Sequence, residues 1–194
     1  MFINHALQEI NFKIVYYGPG LSGKTTNLEF IHNYLHPSMK SELVTLNTRE
    51  ERTLYFDFMQ LHLDRINGKK PRFNLYTVPG QVYYRFSRKI ILKGVDGIVF
   101  VADSQKARMS ENLDSLLDLE TNLIEMGHTL QTFPWIIQYN KRDLHNVETI
   151  NVLQTKLNFF RTTHFETVAT TGANVLPTLK TMINEIITKI EVLA

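Results

Sequence analysis

Eight consecutive residues constrain this chain more than any others: Gly18-Pro19-Gly20-Leu21-Ser22-Gly23-Lys24-Thr25. They fit the pattern Gly, four residues, Gly-Lys-Thr. Before them runs an apolar stretch, residues 12–17, that reads as a buried strand. After them, residues 25–35 read as a helix, and Pro37 marks its end. A glycine-rich turn between strand and helix points backbone N–H groups inward, and the helix start adds the positive end of its dipole. That arrangement suits a chain of phosphates. Lys24 is expected to reach the terminal phosphates and Thr25 to offer its hydroxyl to a magnesium ion. Gly18, Gly20, Leu21, Ser22, Gly23 and Thr26 are expected to line the same cradle.

A strand–loop–helix unit of this kind belongs to a sheet, and the rest of the chain supplies one. Residues 54–63 alternate apolar and polar positions, as a half-buried strand does. Asn67-Gly68 is a tight-turn dipeptide, and residues 73–78 form the return strand of a hairpin. Residues 97–102, Gly-Ile-Val-Phe-Val-Ala, read as a central strand buried on both faces. Leu113, Leu116, Leu117, Leu119, Leu123 and Ile124 follow helical spacing. Residues 133–139 are a further strand, 152–160 a helix and 164–169 a short strand. A last helix starts near Pro177, with Leu179, Ile183, Ile186, Ile187 and Ile190 on one stripe. Residues 3–10 are expected to add a short strand or arm. Residues 37–52 are polar, lack periodicity and read as a loop. Strands joined by crossover helices predict an α/β fold with a mostly parallel sheet, helices on both faces and one antiparallel edge strand from the hairpin. Ligands on such sheets bind at the carboxyl ends of the strands.

Composition narrows the classes of function. The 194 residues suit a single domain spanning 1–194, and 43% hydrophobic with 21% charged residues is ordinary for a globular protein. A net charge of +2 is too near balance to argue for a nucleic-acid or membrane footprint. There is no cysteine, which excludes disulfides and thiolate metal sites. No apolar run approaches the ~18 residues that span a bilayer. Neither a secretory signal nor a lipidation motif is visible, so the expected location is the cytoplasm.

A second motif selects the ligand. Asn140-Lys141-Arg142-Asp143 directly follows the strand at 133–139. A carboxylate accepts two hydrogen bonds from guanine, one from the ring N–H and one from the exocyclic amine. Adenine offers neither there, so a buried Asp143 would discriminate strongly between the two bases. Asn140 is expected to tie this loop to the phosphate loop, and the aliphatic stem of Lys141 to cover one face of the base.

With both motifs in place, the chain resembles the Ras-like small GTPases. More narrowly, it is similar to the bacterial Ras-like proteins that set cell polarity in gliding and twitching bacteria. The residues behind this are Ile14-Val15-Tyr16-Tyr17 leading into the octet, Thr26-Asn27-Leu28 after it, Glu51-Arg52-Thr53-Leu54, Phe56-Asp57-Phe58, Thr77-Val78-Pro79-Gly80-Gln81-Val82, Leu92-Lys93-Gly94-Val95-Asp96-Gly97 and Asn140-Lys141-Arg142-Asp143-Leu144. The resemblance implies a three-layer P-loop small-GTPase fold with six strands. It also implies binding of GTP and GDP with Mg2+, and slow hydrolysis of GTP. Thr53 then matches the threonine that closes on magnesium and the terminal phosphate, and Gly80 the glycine whose amide senses that phosphate. Gln81 matches the residue that orients the attacking water, and Arg52 the arginine finger. Residues 166–170 match the last guanine loop, with Val168, Ala169 and Thr170 at the base and the Ala169 N–H on the guanine carbonyl. The implied partners are an MglB-like roadblock-domain GTPase-activating dimer and polar motility effectors, with recruitment to a cell pole.

One position departs from most Ras-like proteins. Thr77 stands where they carry an aspartate that holds magnesium through water, although the polarity branch shares the threonine. Asp57, on the strand at 54–63, is the candidate to replace that carboxylate.

Arg49 is a second arginine in the loop before Thr53. Arg85 and Arg88 are expected to face a partner or solvent. His32 and His36 have the spacing of a zinc pair but no evident third ligand apart from Glu29. A non-hydrolysing GTP-binding scaffold is the alternative reading, favoured by Thr77. A nucleotide kinase or ATPase is a third, opposed by Asp143.

Overall fold

The computed structural model describes residues 1–4, 7–47, 55–63, 69–80 and 85–191. Its strands are Phe2–Asn4 (β1), Glu9–Tyr17 (β2), Val44–Asn47 (β3), Tyr55–His62 (β4), Lys70–Thr77 (β5), Gly97–Asp103 (β6), Trp135–Asn140 (β7) and His164–Glu166 (β8). Its helices are Lys24–Tyr34 (α1), Arg85–Leu92 (α2), Met109–Glu125 (α3), Ile150–Leu157 (α4) and Val175–Glu191 (α5). All strands join one sheet in the order β3-β4-β5-β2-β6-β7-β8, with β1 antiparallel to β2. From β5 to β8 the neighbours are parallel. β4 runs against both of its neighbours.

The expected layered, mostly parallel architecture is what forms, with two strands beyond the six implied. β1 lies along β2. β3 falls inside residues 37–52, which read as a loop, and makes the hairpin strand β4 an inner strand. Val44-Thr45-Leu46-Asn47 alternates apolar and polar residues, but a run of four among polar neighbours is too short to stand out as a strand. It pairs with β4 from Val44↔Phe58 to Asn47↔Tyr55 and so gives the outer backbone groups of that strand their partners.

Burial follows the sequence pattern closely. β6 and β7 are buried along their whole length, as the continuous apolar runs demand. β2 alternates between two cores. Phe12, Ile14 and Tyr16 pack with Leu28 and Ile31 of α1 and Leu179, Met182 and Ile186 of α5. Val15 and Tyr17 face the other way, toward Leu92 of α2, Leu116, Leu119 and Leu123 of α3, and Leu153 and Leu157 of α4. Successive strand residues point to opposite faces, so one strand serves both helical layers.

Parallel strands also bring their carboxyl ends to one edge. Tyr17, Thr77, Asp103 and Asn140 each end a strand there. Every loop singled out by the two motifs departs from that edge.

Candidate functional site

The phosphate loop leaves β2 at Tyr17 and enters α1 at Lys24. Gly23 holds φ +101, and a Cβ on it would lie 2.2 Å from Asn140 Nδ2, so only glycine fits. Leu21 takes φ +63 at the loop tip with its side chain exposed. Lys24 is 6% exposed and donates to the carbonyls of Gly18 (2.9 Å) and Pro19 (2.6 Å). Burial first and the nearby Arg88 second bring its pKa down to about 7, against the opposing pull of Asp57. A cation this poorly compensated gains from any anion placed in the loop.

Strand periodicity builds the second part of the site. Asp57 points to the same side of β4 as Met59 and Leu61, and Thr77 to the same side of β5 as Phe73 and Leu75. That is the α1 side. Thr25, in the first turn of α1, donates its hydroxyl to Asp57 Oδ2 at 2.6 Å. Thr77 Oγ1 donates to the same oxygen at 2.9 Å and accepts from the Asp57 backbone N–H at 2.8 Å. Thr45 Oγ1, on β3, donates to Asp57 Oδ1 at 2.9 Å. Three hydroxyls thus converge on one buried carboxylate, brought by the neighbouring strand to the position that Thr77 leaves without charge. Hydroxyl and carboxylate oxygens are the donors that magnesium takes, usually one or two from protein with phosphates supplying more.

The third part surrounds the base-reading tetrad. Asn140 is 2% exposed. Its Nδ2 donates to the Ser22 carbonyl of the phosphate loop at 2.7 Å. Its Oδ1 accepts from the Ala169 N–H at 3.0 Å and from Thr167 Oγ1 at 3.2 Å. One buried amide therefore joins the phosphate loop, the tetrad and the loop after β8. Lys141 takes φ +66 and places Nζ 2.7 Å from Asp103 Oδ2. Thr170 is exposed and Val168 half-buried. Asp143, expected as a buried carboxylate, is exposed. It lies in a turn beyond the end of β7.

Several expected residues lie outside the described residues: Arg49, Arg52, Thr53 and Gln81. Arg88 requires a correction. Rather than facing a partner or solvent, it is 4% exposed, because α2 packs that face against α3 and the end of β2. Thr45, Asp103 and Arg108 were missed. Arg108 Nη2 donates to the Gly20 carbonyl at 2.8 Å. Asp103 ends β6 on the ligand-bearing edge, and its position at the end of an apolar run was a usable signal. Nothing local in the sequence marks Thr45 or Arg108.

A phosphate loop, a strand-end tetrad and a mostly parallel three-layer fold define the class of Ras-like small GTPases. The model of the ADP-ribosylation factor family matches residues 1–186, and the chain belongs to that family of GTP-binding GTPases. It is also similar to the mutual gliding-motility protein MglA of Myxococcus xanthus (strain DK1622), with 52% identity over 190 residues that cover 98% of this chain and 97% of that protein. The resemblance to the bacterial polarity branch, read from the motifs, is borne out by that match.

Proposed function

We propose that this chain, as a single domain over 1–194, is a molecular switch that binds GTP or GDP with Mg2+, hydrolyses GTP slowly and shows different surfaces to partners in the two states. The observation that carries the reading is the Asn140 side chain, which bonds Ser22 on one side and Ala169 on the other. That tether makes one pocket out of a phosphate loop and two base loops. Lys24 and the loop amides then hold the phosphates, and the Lys24 charge is stabilised when they arrive. Asp143 takes the two guanine donors, and the base covers this exposed carboxylate. The Lys141 stem lies along the base, with its ammonium anchored on Asp103. Val168, Ala169 and Thr170 flank the base, and the guanine carbonyl shares the Ala169 N–H with Asn140.

Magnesium, when bound, neutralises phosphate charge beside the bond that breaks. Thr25 and Thr53 are its protein ligands, and Asp57 stands in for the usual aspartate. Thr25 would hold the ion through its hydroxyl oxygen, with its O–H still donated to Asp57. Gly80 meets the terminal phosphate through its amide, Gln81 orients the water and Arg52 stabilises the developing charge. The relative's name supports control of gliding motility, and polarity is the role that the motif resemblance adds. An MglB-like roadblock-domain dimer is the activating partner, polar motility proteins are the effectors, and the location is cytoplasmic with recruitment to a pole. Among the described residues no helix is long and apolar enough to cross a membrane.

The test is the mass of the co-purified nucleotide together with single-turnover GTP hydrolysis, with and without a roadblock dimer. Guanine nucleotide that excess ATP does not displace, with activator-stimulated turnover, is the expected result. The scaffold alternative rests on Thr77, and binding without stimulated turnover would favour it.

A further inference from the structure

Arg88 occupies a place in the core that neither motif accounts for. Its guanidinium donates Nη1 to Asp118 Oδ2 at 2.7 Å, and the same oxygen accepts the Tyr17 hydroxyl at 2.5 Å. On its other edge Nε donates to the Pro79 carbonyl at 2.9 Å and Nη2 reaches the Gly80 carbonyl at 3.4 Å. The guanidinium also lies 5.8 Å from the centre of the Tyr17 ring. Three elements meet at this group: α2 through Arg88, α3 through Asp118, and the last residue of β2, immediately before the phosphate loop. A planar fork bonded to two consecutive carbonyls fixes the direction of the peptide between them, as a point charge does not.

That peptide stands against the phosphate loop. A Cβ on Gly80 would lie 2.3 Å from Gly20 N and 2.4 Å from Gly20 Cα. The two backbones therefore touch, and a phosphate group does not fit between them. The facing Gly20 carbonyl is itself held by Arg108. Two arginines thus pin the two glycines that a third phosphate has to part.

We propose that Arg88, Asp118 and Tyr17 form a latch that holds Gly80 on the phosphate loop and biases the protein toward GDP over GTP. This rests on the reading of Gly80 as the residue that meets the terminal phosphate. GDP leaves the Gly20–Gly80 contact in place. GTP must lift Gly80 and stretch its bond to Arg88. Each contact that keeps Arg88 in place then disfavours GTP alone, since a ligand shifts an equilibrium only by its difference in affinity for the two states. Tyr17 and Asp118 are positioning residues: they act on the nucleotide through Arg88.

The experiment is a titration of the full chain with fluorescent GDP and a fluorescent non-hydrolysable GTP analogue, both with Mg2+. The variants are Tyr17→Phe, which removes a single hydroxyl, and Asp118→Asn, which keeps the shape and removes the charge. The ratio of the analogue's Kd to that of GDP should fall by roughly fivefold in Tyr17→Phe and further in Asp118→Asn, within the usual range of coupling between sites. An unchanged or increased ratio overturns the latch. So does an equal weakening of both nucleotides, the mark of a purely structural role. Failure of the wild-type chain to bind either nucleotide would instead overturn the function proposed above.

Discussion

The hydroxyl of Thr25 donates to the carboxylate of Asp57 across 2.6 Å, joining the first turn of α1 to strand β4. Asp57 stands 32 positions along the chain, on a strand that carries no recognised phosphate-binding motif. A carboxylate from the neighbouring strand therefore lies beside Thr77, the position at which most Ras-like proteins carry an aspartate. Asp57→Ala is expected to weaken magnesium binding in the nucleotide complex, with the Mg2+ concentration for half-saturation rising about tenfold or more, as for loss of a supporting carboxylate. Titration of GDP release against Mg2+ reads this directly. An unchanged requirement would remove Asp57 from the magnesium shell.

Restoring the common aspartate makes the complementary case. Thr77→Asp puts a second carboxylate where a hydroxyl now donates to Asp57 at 2.9 Å. Two buried like charges at that distance repel, and one must stay protonated. The free protein should lose roughly 2–4 kcal/mol of stability, in the range of buried unpaired charges. Adding Mg2+ with GDP should recover more stability in the variant than in the wild type. Thermal melts with and without the ligand pair test both statements.

Asn140 is a single point of failure for the pocket. Asn140→Ala leaves the Ser22 carbonyl, the Ala169 N–H and the Thr167 hydroxyl without the partner they have now. Buried groups left unpaired cost about 1–3 kcal/mol each. Guanine-nucleotide affinity should fall at least a hundredfold, and the free protein should melt earlier. A variant that binds GDP normally would show that the loops are held together by something else.

Lys24 carries a charge that burial and Arg88 both oppose. Lys24→Ala removes it together with its contact to the phosphates. A ligand that binds the folded state raises the melting temperature in proportion to the logarithm of its concentration over Kd. Saturating GDP should therefore stabilise the wild type by several degrees and leave Lys24→Ala unshifted.

For Arg52 the expectation concerns rate alone. Arg52→Ala should bind GTP as the wild type does and lose activator-stimulated hydrolysis by about 10³-fold or more, the usual worth of an arginine finger. Single-turnover measurements with a roadblock dimer decide this, and a normal stimulated rate would exclude Arg52 from the role.

The two motifs and the sheet were legible because their causes are local. The octet at 18–25 demands a strand before it and a helix after it, and both form. The apolar runs that became β6 and β7 show their double-sided burial in composition alone. β3 was not legible: its alternation lasts only four residues, too few to read as a strand until β4 offers them an unpaired edge. Arg88 misled for a similar reason. An arginine on an eight-residue helix looks solvated until Asp118 and Tyr17, 30 and 71 positions away, are brought beside it.

By itself, then, the sequence determined the strands and helices other than β3, and marked the octet and the tetrad, because each depends on neighbours a few residues apart. Tertiary structure alone decided which carboxylate serves Thr25, which arginines pin Gly20 and Gly80, and that one asparagine ties three loops together. Those pairings join residues far apart in the chain. They arise only when parallel strands bring their carboxyl ends to one edge and burial forces every polar group there to find a partner.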